Sequence, residues 1–247
     1  MTLEGLRSAC IIISREGDAH QICGQTIEAW AGSRGRLRTM LEAAHTAVMH
    51  RALDGVFSPE ALRTVISANL QVDALWNQLG RHELHFDDNA FDGANAYIAD
   101  QRALIRPSLE SGNPQAAWRA FGRLTHTAQD FYSHSNYVGL WLARYGSAPL
   151  TSPEQIDFAD PEIMDSPSLR SGKPYLPWGA LSFIPGLGRI VDRFMPADSH
   201  ARMHLDSEAR GPDFQYAFHA AVKRTMHEYE LAVRALSEPL VRRFQGH

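Results

Sequence analysis

At 247 residues, with 44% apolar and 21% charged side chains, the chain can bury a full hydrophobic core, which excludes wholesale disorder. A formal charge of −4 and the lack of a Lys/Arg run argue against binding a phosphate backbone, so nucleic acid is not the favoured partner. Two cysteines, Cys10 and Cys23, cannot make a disulfide scaffold, and they read equally as one short-loop disulfide or as two reduced small hydrophobes.

No stretch reaches the roughly eighteen uncharged apolar residues of a membrane span. Met1 to Cys10 carries Glu4 and Arg7 with no apolar run of signal-peptide length behind it. The default expectation is a cytoplasmic protein, with export lacking a cleaved signal left open. Residues 1–35 form a segment apart, with a short strand expected over Cys10-Ile11-Ile12-Ile13 and a loop at Gly32 to Gly35. From residue 36 to 247 the pattern is helical, and the fold class expected is all-α, a multi-helix bundle with a Pro-rich lid-like insertion at about 145–197.

Leu37, Met40, Leu41, Ala44 and Val48 recur at helical spacing and stop near Gly55. Ser58-Pro59-Glu60 starts a second helix, expected to run to Gly80, because it supplies a cap, a first-turn proline and an acid at the positive dipole end. A third covers about Ala94 to Leu109, and Asn113-Pro114 opens a long fourth through Trp118, Phe121, Leu124, Ala128 and Phe131. Between Tyr145 and Ala197 lie eight of the thirteen prolines, which forbids long regular elements. Within that insertion, Leu187, Ile190, Val191 and Phe194 would share one face of a short helix. The last helix is expected from Asp213 to about Phe244.

Histidine is the outlier of the composition, with twelve copies scattered along the chain. His126, Asp130 and His134 repeat every fourth residue of the long helix, each about 40° around and about 6 Å along from the last. That row lies opposite the apolar row of Ala117, Phe121, Leu124, Ala128 and Phe131. Spacing alone leaves it open whether the row is an exposed polar face, as Arg119 and Arg123 suggest, or a set of metal ligands. His126 and His134 stand about 12 Å apart along an unbroken helix, too far to share one ion. Asp130 between them could join two.

Three further groups fit ligand chemistry. His82-Glu83-Leu84-His85-Phe86-Asp87-Asp88-Asn89 follows the Gly80 stop, and it is not a zincin motif because only one residue separates Glu83 from His85. His200 and His204 stand at i and i+4, on one helical face that Glu208 would extend. His45 sits in Glu42-Ala-Ala-His45, the Glu-x-x-His form of di-iron bundles, but no second copy occurs.

Arg123-Leu-Thr-His126-Thr-Ala-Gln-Asp130-Phe-Tyr-Ser-His134-Ser-Asn-Tyr-Val138 resembles the signature of Het-C proteins, a family that looks related to the zinc-dependent phospholipases C and fungal zinc nucleases. His85-Phe-Asp87-Asp88-Asn89 and Met203-His204-Leu-Asp206-Ser-Glu-Ala-Arg210 are similar to two flanking elements of that family, in its order. The resemblance implies a helical bundle holding two or three zinc ions, with His126, Asp130 and His134 as helix ligands and Asp130 as the bridging carboxylate. It implies His85 as a ligand of the paired site, His45 as the early histidine of a third ion, and His200 and His204 as the pair after the lid. The implied activity is zinc-dependent hydrolysis of a phosphodiester in phospholipid head groups, with Asp87 orienting or activating water and Asp88 and Asp92 as alternatives. On that reading Phe183 to Met195 would be a lid touching lipid. Rival readings are a zinc nuclease and a metal-stabilised toxin or interaction protein that acts on membranes without hydrolysis. Calcium is an alternative to zinc at the carboxylate edge of Asp87, Asp88 and Asp92.

Overall fold

The computed structural model describes residues 43–74, 77, 80–146, 151–175 and 194–247. The strand expected at 10–13, both cysteines, Glu42 and most of the proposed lid lie outside them. Among the described residues the regular structure is helical, and extended pairing is limited to two isolated bridges, Ser135 with Ser171 and Lys173 with Ser199. The all-α expectation is met. No described helix is long and apolar enough to cross a membrane.

The first helix is described over 43–53 (α1). Helix α2, Pro59–Leu70, begins as its residues dictate, with the Ser58 side chain accepting the Ala61 amide and Pro59 in the first turn. It does not reach Gly80. The chain tightens into a 3-10 turn at Gln71–Asp73 that buries Val72 and points Asp73 at the histidines of the bundle. Helix α3 spans Phe91–Glu110 and α4 spans Pro114–His134, capped by the Asn113 side chain on the Ala116 amide. A short α5, Tyr137–Tyr145, follows.

Helix α4 is the axis of the fold, with α2, α3 and α8 (Asp213–Arg234) packed around it. Every position from Leu124 to Tyr132 is buried. One side meets Phe57, Phe244 and Tyr229 through Phe121, and Phe86 and Phe91 through Phe131. The row His126, Asp130, His134, which spacing alone allowed to be a solvent face, is equally enclosed. Helix α2 crosses α4 at Gly122, where a Cβ would stand 2.2 Å from the Val65 carbonyl oxygen and 2.9 Å from the Ala68 Cβ. Glu228 of α8, fully buried, takes a hydrogen bond from Nε of Arg224 at 2.8 Å and pairs with Arg102 of α3.

The last helix is two. Helix α8 stops at Arg234 and α9, Glu238–Gln245, restarts behind an extended Ser237, because Pro239 lacks the amide proton and its ring would clash with the Ala235 carbonyl in a continuous helix, whereas in the first turn of a new helix it is tolerated. The turn lets Phe244 enter the core, where its carbonyl accepts the Trp118 indole N–H at 2.6 Å. The expected His200–Glu208 helical face is also broken. Helix α7 is only His200–Met203, His204 is extended, and Glu208–Arg210 is a separate 3-10 turn.

Much of the Pro-rich insertion is built into the core. Residues 151–175 carry a 3-10 turn at Pro153–Gln155 and helix α6, Pro161–Met164, and they bury Ile156 and Ile163. Tyr132 and Tyr137 donate their hydroxyls to the Phe158 and Asp157 carbonyls, each at 2.6 Å. Lys223 donates to the Glu154 and Ile156 carbonyls. This stretch is a fixed strap over α4, α5 and α8, since its backbone groups are satisfied by buried side chains. The close crossing at Gly122 gives a direct test: Gly122→Ala is expected to cost about 1–3 kcal/mol in denaturant unfolding, through overpacking against a backbone oxygen that cannot retreat.

Candidate metal centre

At the inner end of α4 the Asp130 carboxylate, 1% exposed, is ringed by imidazoles. Its Oδ2 lies 2.9 Å from Nδ1 of His85 and 3.0 Å from Nε2 of His126. Its Oδ1 lies 3.2 Å from Nε2 of His45 and has no hydrogen bond of good geometry. The two histidine nitrogens on the Oδ2 side are 3.3 Å apart. Asp73 Oδ1 adds a fourth donor, 3.5 Å from His126 Nε2 and 3.9 Å from His85 Nδ1. Donors about 2.0–2.1 Å from a tetrahedral ion are separated by about 3.3–3.4 Å, so the His85, His126 and Asp130 distances fit three positions of a zinc site after small adjustment, with Asp73 beside them. His45, Asp73 and His126 form a second, overlapping group whose donor atoms lie within 4.8 Å of one another.

A separate group forms where α4 ends. Asp87 Oδ1 lies 2.9 Å from Nδ1 of His200 and 3.3 Å from Nδ1 of His134. His134 Nδ1 also donates to the His85 carbonyl at 2.9 Å, which leaves Nε2 as its second donor atom, 3.3 Å from Asp206 Oδ1. His204 does not join this group directly. Its Nδ1 bonds Asp206 Oδ2 at 2.7 Å, and its ring stacks on His200.

Asp87 reaches this position through a strained turn. Phe86, Asp88 and Asn89 all adopt left-handed backbone angles, with φ of 54°, 51° and 59°. Such angles are unfavourable for side chains of this size and persist where surrounding structure holds them. Phe86 is clamped between Phe91 and Phe131. The Asp88 amide donates to Gly172, and Asn89 exchanges two hydrogen bonds with Ser171, each at 2.8 Å. Gly172 in turn donates to the His134 carbonyl, and the neighbouring Lys173 carbonyl accepts the His200 amide. Asp88 and Asp92 are exposed and belong to none of the donor groups among the described residues.

Burial alone would raise the Asp130 carboxyl, but the imidazoles of His126 and His134 hold it well below the usual carboxylate range. Asp206, between His134 and His204, and Asp87, between His200 and His134, are lowered in the same way. Burial pushes His126 down, against Asp130 and Asp73, which favours the neutral ring. At His45 burial is outweighed by Asp130, and the imidazole is raised to about 9.

All eight sequence candidates therefore fall in one region. His45, His85, His126 and Asp130 form its inner part, Asp87, His134 and His200 its outer part, and His204 borders it through Asp206. Sequence reasoning missed Asp73 and Gln129. Asp73 carries no local motif, and only the early end of α2 aims it inward. The raised His45 implies, in metal-free protein, a stabilising charge pair present below pH 6.5 and lost as pH rises through about 9. NMR titration of His45 without metal is expected to give a midpoint near 9, and a lower one in Asp130→Asn, where burial is opposed only by Asp73 and Gln129.

A family model described as the VWA7 N-terminal domain matches residues 39–155, just under half of the chain. No curated protein and no solved structure matches. The matching family is thus neither Het-C nor a zinc phospholipase C, and that resemblance is corrected. It rested on the stretch Arg123 to Val138 and two flanking elements in the family's order, and the four-residue spacing within that stretch is one that any helix with a polar row on one face can have. What the chain is similar to is the VWA7 N-terminal domain, over a stretch that holds His45, Asp73, His85, Asp87, His126, Asp130 and His134 but ends before His200, His204 and Asp206.

Proposed function

We propose that this chain is a zinc-dependent phosphodiester hydrolase acting on phospholipid head groups. The observation that carries the proposal is the contrast between two ligand groups on one helix. The inner group is enclosed, with the side chains of His85, His126, Asp130 and neighbouring Asp73 only 0–13% exposed, the surroundings of a structural or anchoring ion. The outer group offers Asp87, His134 and His200, with exposure rising to 24% at His200, so a coordination position faces solvent. Imidazole-rich donor sets favour zinc over calcium, which prefers oxygen ligands throughout.

Zinc, when bound, supplies Lewis acidity towards phosphoryl oxygens and a nucleophile at neutral pH. Asp130 presents one oxygen to His85 and His126 and the other to His45, so it would hold zinc together with these histidines. Asp87, kept ionised between His134 and His200, orients the attacking water or takes its proton. The low net charge favours a lipid over a polyanionic nucleic acid. The exposure of Phe194, 85%, shortly before His200 supports a lipid-facing side. The closed inner group also favours a second reading, in which the ions are purely structural and the protein acts on membranes without hydrolysis.

Protein purified without chelators is expected to hold at least about two equivalents of zinc and to release phosphorylated head groups from lipid vesicles, with release abolished in Asp130→Asn. Less metal than that would sink the catalytic reading. Vesicle damage without head-group release, persisting in Asp130→Asn, would establish the structural one, and cleavage of DNA instead of lipid would establish a nuclease. Gly172→Ala separates the two groups. Its Cβ would stand 2.5 Å from the His200 Cα, so about one equivalent of zinc is expected to be lost while the inner site stays loaded.

A further inference from the structure

We infer that Gln129 is a positioning residue that sets which nitrogen of His45 faces the metal centre, and that Thr225 of α8 sets the orientation of Gln129. The inference rests on the metal-binding reading above and concerns a side chain that touches no metal donor other than His45.

The support is donor and acceptor logic in a dry network. Asn69, Thr125, Gln129 and Thr225 are all at most 2% exposed. The Thr225 hydroxyl donates its one proton to the Ala221 carbonyl at 2.8 Å. It can then only accept from Gln129, 3.0 Å away, so the Gln129 atom facing it must be the NH2. That choice turns Oε1 of Gln129 to Nδ1 of His45 at 2.7 Å. An oxygen accepts, so Nδ1 must carry a proton, and Nε2 is the nitrogen left to ligate. It is Nε2 that stands 3.2 Å from Asp130 Oδ1.

A second threonine, on α4, enforces the same answer through Asn69 of α2. Thr125 donates to the Gly122 carbonyl at 2.9 Å, so it accepts from Asn69 Nδ2, and Asn69 Nδ2 also donates to Gln129 Oε1. Two back-bonded hydroxyls, on α4 and α8, thus polarise the amides of Asn69 and Gln129 in one direction. The output of this four-helix network is a single imidazole tautomer. Supporting partners of metal-bound histidines commonly change affinity by about 10–100-fold when removed.

Zinc affinity by chelator competition and 15N NMR of labelled histidine in the zinc-loaded full chain test this directly. Wild type is expected to show His45 protonated at Nδ1 and bound through Nε2. Gln129→Leu should weaken one ion by about 10–100-fold while the others keep wild-type affinity, and Gln129→Glu, which still accepts from Nδ1, should retain that ion. Should Gln129→Leu fail to fold, Thr225→Val removes only the orienting hydroxyl and should shift the His45 tautomer population in the same direction. Wild-type affinity for every ion in folded Gln129→Leu, an unchanged tautomer in Thr225→Val, or His45 bound through Nδ1 would overturn the inference alone. A wild-type chain that takes up no zinc would overturn both it and the metal reading.

Discussion

A carboxylate buried in the middle of a helical bundle is the constraint on which the rest of the structure depends. Asp130, on a stretch of helix buried throughout from Leu124 to Tyr132, cannot keep its charge in an apolar interior without partners. Its oxygens are met by His85, His126 and His45, each delivered by a different element. These elements cannot drift apart without leaving a buried charge uncompensated. The helix therefore has an unusual composition for its position. Its apolar face packs as any core helix does, while its polar face packs just as tightly against other polar groups.

The same constraint explains features that would otherwise look like defects. The chain accepts three left-handed residues at 86, 88 and 89 because Phe86 anchors the turn and the strap at 171–172 ties it down. The strap owes its course to Gly172, whose missing side chain lets backbone pass against His200. Segments far apart in the chain are thus held in register around the end of α4 by main-chain hydrogen bonds. Rigidity of this kind suits a ligand group, since donor atoms must be held close to their working positions before an ion arrives.

Much of the scaffold could be read from local signals. Ser58-Pro59 and Asn113-Pro114 mark helix starts with capping side chains and pre-set φ, and both act as they suggest. The helix starting near Ala94 was similarly legible. The ends were harder to read. The break between α8 and α9 has a local signal in Pro239, but helix α2 stops short of Gly80 where Asp73 meets histidines across the bundle, and Phe244 takes its core site beside Phe57 and Phe121. Propensity carries no record of such distant partners. Nor could the texture of the Pro-rich insertion reveal that Ile156 and Ile163 pack inside and make part of it a strap.

By itself, the sequence determined the helical class, the starts of the main helices and the types of residue available for chemistry. Imidazole and carboxylate are chemical identities, and a four-residue spacing fixes the face of a helix on which they stand. Only the tertiary structure decided whether that face met water or protein, because burial depends on what other elements bring against it. It also decided which donors group together: Asp73 joins the inner set across the bundle, Gln129 stands behind His45, and His204 pairs with Asp206 instead of extending a helical face. Those pairings are set by distances of a few ångströms between residues tens of positions apart, which no local pattern encodes.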